Sequence, residues 1–189
     1  MELILIRHSR TQPTHTVPVR QWGLTEEGIQ LAKDLSKQKI ISSLDVLYSS
    51  LQTKAIETSL YLAKPHGVPM KTHPGLDEIS SFTRTFLGKD FEKVSEDFYR
   101  ERIARIAEGE TWREALRRFK TSLESIVAVE KKRRIRTVGI VSHGNILAFF
   151  TAHYTQTDPY MYHKKIQMPD VAMFDWETKE FEVGWGEVK

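Results

Sequence analysis

The sequence predicts an α/β sandwich with a largely parallel sheet between layers of helices. Short apolar runs typical of buried strands occur at ELILI, DVLYS and RTVGIVS. The longer segments between them repeat apolar residues every three or four positions, as amphipathic helices do. Strands that alternate with helices in this way indicate this fold class.

The elements of the first half follow from local signals. Residues 2–6 predict a buried strand, and Thr25 is a good N-cap for the helix that begins in GLTEEGIQLA. A second strand is expected over 45–49 and a short third strand over 69–72. The segment LQTKAIETSLYLAKPHG between them predicts a helix that breaks near Gly67.

The second half begins with a less regular stretch, 74–110, in which we expect a helix from about 90 to 107. Thr111 and Glu114 form a capping box that starts a long helix. RTVGIVS is the next strand, and HGNILAFFTAHY begins a helix directly after it. VAMFDW and FEVGW predict two final strands joined around ETKE.

Composition limits the function classes. A chain of 189 residues fits one domain, 1–189, and the absence of cysteine excludes a disulfide, a thiolate metal site or a cysteine nucleophile. No apolar stretch approaches the length of a membrane helix, and the first residues lack the pattern of a signal peptide. We therefore expect a cytoplasmic protein without a membrane partner.

The charge pattern gives little support for nucleic-acid binding. The net charge is only +3, and the most basic run, EKKRRIR at 130–136, is more typical of a solvated helix end. This run precedes a strand, so we expect it on the side opposite the active site. We expect no nucleic-acid partner.

Cationic or titratable side chains follow three of the expected strands. Arg7 and His8 end the first strand, Lys54 follows the second, and His143 and Gly144 follow RTVGIVS. Ligands of such sheets bind at the carboxyl ends of the strands. Each residue alone has an ordinary structural explanation, but as a group they would repel one another. Together they fit a pocket for a phosphate dianion.

A phosphate pocket with two histidines suggests phosphoryl transfer. One imidazole can attack phosphorus, and the other can stabilise an equatorial oxygen beside the cations. A carboxyl group must protonate the leaving oxygen, and Asp77 and Glu78 are the candidates. We expect no metal or other cofactor, because the cations supply the positive charge.

Six segments of the sequence resemble, in order, the motifs of the histidine phosphatase superfamily, the phosphoglycerate-mutase-like or RHG family. They are LIRHSRT, GLTEEGIQLA, LYSSLQTKAIETS, LDEIS, GETWREALRRF and VSHGNIL. The resemblance implies a mixed, mainly parallel sheet between helices. It also implies a variable, lid-like segment around 79–110.

The resemblance implies specific roles. His8 would be the phosphorylated nucleophile, and Glu78 rather than Asp77 would be the proton donor. The phosphoryl group would contact the remaining site residues, which are Arg7, Ser9, Thr14, Lys54, His143 and Gly144. Four positions depart from the family pattern: Ser9 replaces a glycine, Thr14 an asparagine, Leu51 a proline and Lys54 an arginine. Ser9 could donate to phosphate or simply pack.

The leading hypothesis is a histidine acid-type phosphatase that hydrolyses small phosphomonoesters, with a mildly acidic or near-neutral optimum. One alternative is phosphoryl transfer of the phosphoglycerate-mutase type. The other is a protein that binds a phosphorylated ligand without catalysis. The sequence identifies neither the substrate nor the oligomeric state.

The segment SFTRTF, 81–86, follows the acid candidates and has two interpretations. Arg84 is either a contact for a second anionic group or part of a loop that covers the core.

Overall fold

A computed structural model describes residues 1–187. The last two positions of the expected domain, 188 and 189, lie outside the described residues. One mixed sheet of six strands crosses the fold, in the order β3-β2-β4-β1-β5-β6. The strands are β1 (Glu2–Arg7), β2 (Val46–Ser49), β3 (Met70–Thr72), β4 (Thr137–Ser142), β5 (Asp170–Asp175) and β6 (Glu180–Val183). This arrangement confirms the predicted fold class.

Helices cover both faces of the sheet. They are α1 (Glu26–Ser36), α2 (Lys39–Ser42), α3 (Thr53–Ala63), α4 (Phe91–Tyr99), α5 (Trp112–Lys132), α6 (Gly144–Thr155) and α7 (Pro159–Lys165). Alternate residues of β1 enter two separate cores. Ile4 and Ile6 pack with α1, α2 and α3, whereas Leu3 and Leu5 pack with α4, α5 and α6. This burial on both sides explains why the strand sequence is continuously apolar.

The parallel part of the sheet brings the expected site together. β4 pairs in parallel with both β1 and β2, so all three strands end at the same edge. His8 extends the ladder by one step, since its backbone N–H donates to Ser142 O at 3.0 Å. The basic run 130–136 lies between the end of α5 and the start of β4, at the opposite edge.

Two predicted helix starts are confirmed by their caps. The Thr25 hydroxyl accepts from Gly28 N at the start of α1. At the start of α5, Thr111 and Glu114 exchange the two hydrogen bonds of a capping box. Such caps contribute about 1 kcal/mol each.

The helix predicted from 90 to 107 is shorter than expected. It ends at Tyr99, and the N–H groups of Arg102 and Ile103 turn back to the Asp97 carbonyl. Glu101 then adopts a positive φ of 56°, which a helix cannot contain. The short helices α2 and α7 were not predicted. No helix among residues 1–187 is long and apolar enough to cross a membrane.

A buried carboxylate ties α5 to β2 and β3. Glu130 is fully buried and accepts from Lys71 Nζ at 2.5 Å and from the Tyr48 hydroxyl at 2.6 Å. Arg133 contacts the same oxygen at 3.4 Å. The network fixes α5 against the edge of the sheet that carries β2.

Lys71→Met should destabilise the fold by about 2 kcal/mol, because it removes the closest charge partner of a buried carboxylate. Lys131→Met is the matched control, since it breaks only the exposed ion pair with Glu177 and should cost less than about 0.5 kcal/mol. Urea unfolding measures both. Equal effects of the two variants would show that the burial of Glu130 does not depend on Lys71.

Candidate active site

The ends of β1, β2 and β4 surround a cavity of about 400 Å³. Five charged or titratable side chains line it, and we call them the floor: Arg7, His8, Lys54, Glu78 and His143. Gly144 also lines the cavity. The structure therefore brings together six of the eight residues selected from the sequence.

The ring of His8 is fixed by a backbone hydrogen bond. Its Nδ1 lies 2.8 Å from the carbonyl oxygen of Ser9, which can only accept, so Nδ1 donates and Nε2 keeps its lone pair when the ring is neutral. Burial, followed by the charges of Lys54 and Arg7, holds the pKa of His8 well below its usual value. The ring is therefore neutral at neutral pH, with its free lone pair on Nε2.

Two buried cations flank this ring. Arg7 donates to the carbonyl of Ile166 at 2.5 Å, and its Nε has no hydrogen-bond partner among the described residues. Lys54 donates to the Val19 carbonyl at 3.0 Å and lies 5.4 Å from the centre of the Trp22 ring. Burial is the main cause that lowers the pKa of Lys54 to about 8. An anion in the cavity would offset the repulsion between these charges.

Gly144 gives the Arg7 guanidinium room. A Cβ atom at this position would lie 2.8 Å from both Cζ and Nε of Arg7, closer than real contacts allow. The glycine is therefore needed for a close approach of the side chain, and its φ is not in the left-handed region.

His143 is held by a chain of hydrogen bonds. The Ser50 hydroxyl donates to Asp77 Oδ1 at 2.9 Å, so its oxygen accepts from His143 Nε2 at 2.7 Å. Asp77 Oδ2 accepts from Arg20 at 2.5 Å. Burial, then the charge of His8, places the pKa of His143 well below its usual value. Asp77 is thus committed to orienting His143 and does not line the cavity.

Glu78 accepts four hydrogen bonds. Oε1 accepts from the backbone N–H groups of Ile79 and Ile146, each at 2.9 Å. Oε2 accepts from both the backbone and the side-chain nitrogen of Asn145, each at 3.0 Å. Two of these donors belong to the first turn of α6, where backbone N–H groups have no partner within the helix. The carboxylate therefore caps the helix that follows His143.

Arg118, on α5, clamps the segment that carries Glu78. Its Nη1 donates to the carbonyls of Gly75 and Asp77 at 2.9 and 3.0 Å. Glu110 binds the same guanidinium at 2.7 and 2.8 Å. The ion pair with Arg118 explains the glutamate near the start of GETWREALRRF. No motif in the sequence indicated Arg118 itself beyond its position in that segment.

The structure does not bring Ser9 or Thr14 into the lining of the cavity. The Ser9 hydroxyl donates to the Gly28 carbonyl at 2.6 Å, which corresponds to the packing alternative for this residue. Thr14 contacts Thr16, and its carbonyl accepts from the Trp22 indole at 3.2 Å. Both hydroxyls therefore have hydrogen-bond partners outside the cavity.

Comparisons with known proteins identify the family whose model this sequence matches. The family model described as "Histidine phosphatase superfamily (branch 1)" matches residues 3–185. None of the proteins with curated descriptions matches this sequence.

Solved structures share the fold at low sequence identity. Bacillus stearothermophilus YhfR is 20% identical, with a TM-score of 0.77 and coverage of 100% of this chain and 97% of that one. A mycobacterial glucosyl-3-phosphoglycerate phosphatase is 16% identical, with a TM-score of 0.76 over 100% of this chain and 99% of that one. The alpha-ribazole phosphatase from Shigella flexneri is 20% identical, with a TM-score of 0.73 over 99% and 96%.

Gly144→Ala should weaken the binding of inorganic phosphate by at least ~10-fold, because the new methyl group displaces the Arg7 guanidinium. Isothermal titration calorimetry measures the affinity. The control is Gly67→Ala, in an open left-handed turn with no neighbour near the added carbon, which should lose about 1 kcal/mol of stability and no phosphate affinity. Unchanged phosphate affinity in Gly144→Ala would show that Arg7 is not the anion contact.

Proposed function

The chain belongs to branch 1 of the histidine phosphatase superfamily, and on this basis we propose that it is a metal-independent phosphatase that works through a phosphohistidine on His8. The observation that carries the proposal is the neutral His8 ring, fixed by the Ser9 carbonyl beside two buried cations. The substrate is a small phosphomonoester, since the cavity holds about 400 Å³.

The first step is an attack on phosphorus by the Nε2 lone pair of His8. A bond from phosphorus to nitrogen forms, and the bond from phosphorus to the ester oxygen breaks. Arg7 and Lys54 neutralise the charge on the phosphoryl oxygens. The arriving dianion also favours the protonated form of His143, whose Nδ1 is buried without a partner among residues 1–187. That nitrogen then donates to a phosphoryl oxygen.

Glu78 delivers the proton to the leaving alcohol. All four lone-pair positions of the carboxylate are occupied, so a proton can bind only if one hydrogen bond is lost. The hydrogen bond from the Asn145 side chain is the one that can be lost, because side-chain amides rotate more easily than backbone groups. The Asn145 amide lies between Glu78 and Tyr99, whose hydroxyl donates to Asn145 Oδ1 at 2.9 Å. Loss of the bond from Asn145 Nδ2 leaves Oε2 able to carry a proton and to donate it to the leaving alcohol.

The second step regenerates the enzyme. Water attacks the phosphohistidine, Glu78 accepts its proton, and the bond from phosphorus to Nε2 breaks to release inorganic phosphate.

Mutase chemistry needs a second anionic group to be held in the same cavity, and the described lining has no cation outside the floor. The oriented nucleophile also favours catalysis over binding alone.

His8→Ala should lower phosphate release from 4-nitrophenyl phosphate by at least about 10³-fold, because the nucleophile is lost. The control variant, His153→Ala, removes an exposed histidine outside the cavity and should keep full activity. Both are measured by release of inorganic phosphate from purified protein. Retained activity in His8→Ala would refute the proposed nucleophile.

The pH dependence should follow Lys54. Its pKa of about 8 means that the side chain is charged, and able to bind phosphate, below this pH and neutral above it. We therefore expect kcat/KM to fall above about pH 8 and the optimum to lie near neutrality. In Lys54→Arg this alkaline decline should move upward by more than one pH unit, since arginine stays charged. A decline at the same pH in both proteins would assign it to another group.

A further inference from the structure

The cavity has a charged floor and uncharged walls. Apart from the five floor side chains, its described lining contains no charged residue. The floor offers the charge needed for one phosphate group. A second phosphate or a carboxylate elsewhere on the substrate would find no charge partner on these walls.

Two pairs of aromatic rings form much of the walls. Trp22 and Phe86 meet edge to face, with ring centres 5.5 Å apart. Phe82 and Phe91 are tilted against each other at 6.1 Å. The indole N–H of Trp22 is shared between the carbonyls of Thr14 and Val17, so this ring offers a substrate only its apolar surface.

The walls contain few polar side chains. They are the hydroxyls of Thr11, Thr83 and Thr85 and the amide of Asn145. That amide is already shared between Glu78 and Tyr99. A sugar with several hydroxyl groups would therefore lose hydrogen bonds to water on entering.

The segment that suggested a second anion contact does not provide one. Arg84 is exposed and does not line the cavity, whereas its neighbours Phe82 and Phe86 do. The expected lid-like segment, 79–110, thus contributes apolar surface to the site.

Building on the proposed phosphatase function, we propose that the substrate carries a single phosphate on a flat, apolar alcohol of the aryl or arylalkyl class. The ring of the alcohol would pack between the two aromatic pairs, while its phosphate reaches the floor. The chemistry is unchanged, since the alcohol leaves with the proton from Glu78. Specificity comes from burial of the ring.

The test compares esters whose leaving alcohols have similar acidity, so that intrinsic reactivity does not decide the result. The substrates are 2-phenylethyl phosphate, ethyl phosphate, glycerol 3-phosphate and 3-phosphoglycerate. We expect kcat/KM for 2-phenylethyl phosphate to exceed each of the others by roughly ten-fold or more, because only its ring is buried. A preference for glycerol 3-phosphate or 3-phosphoglycerate would overturn the substrate class and leave the phosphatase function standing.

A variant pair locates the effect in the walls. Phe86→Ala should lower kcat/KM for 2-phenylethyl phosphate by roughly five-fold or more and leave ethyl phosphate within two-fold. Phe181→Ala, which removes an equally half-buried ring outside the cavity, should change neither. An equal loss for both esters in Phe86→Ala would overturn the proposed packing. Release of phosphate from neither these four esters nor 4-nitrophenyl phosphate would overturn the phosphatase function itself.

Discussion

The capping of α6 by Glu78 is the interaction on which the rest of the site depends. One carboxylate joins the end of the segment that follows β3 to the first turn of the helix that follows His143. The same turn contains Gly144, which leaves space for the Arg7 guanidinium. Arg118 holds the other side of the segment. A shift of the carboxylate would therefore displace the second histidine and the arginine together.

The same edge of the sheet concentrates positive charge in a buried place. Arg7 and Lys54 face two histidines whose pKa values are held low by burial and by those cations. The protein tolerates this arrangement because backbone carbonyls accept from both cations and because the histidines stay neutral. A bound dianion would stabilise the charged forms of both cations and of both histidines. Under the proposed function, the cluster lowers the stability of the free protein and raises its affinity for phosphate, a balance that is common at active sites.

The sequence predicted the parallel strands and the floor because both depend on local patterns. Apolar runs identify β1 and β4, and chain order then places His8 and His143 at one edge. Side-chain direction was harder to predict, since it depends on contacts made after folding. Ser9 turns toward α1, and the helix expected to reach 107 ends at Tyr99, where nothing in the local apolar pattern marks a stop. The apolar walls also needed the structure, because they combine distant segments.

The central claim is that His8 forms a covalent bond to phosphorus. The most direct measurement is a rapid alkaline quench during the first turnover of 4-nitrophenyl phosphate, followed by digestion and mass spectrometry of the peptide that contains this residue. We expect an acid-labile phosphate on His8 that appears before inorganic phosphate and is absent from His8→Ala. Phosphate on Ser9, or steady release of inorganic phosphate without any phosphorylated histidine, would contradict it.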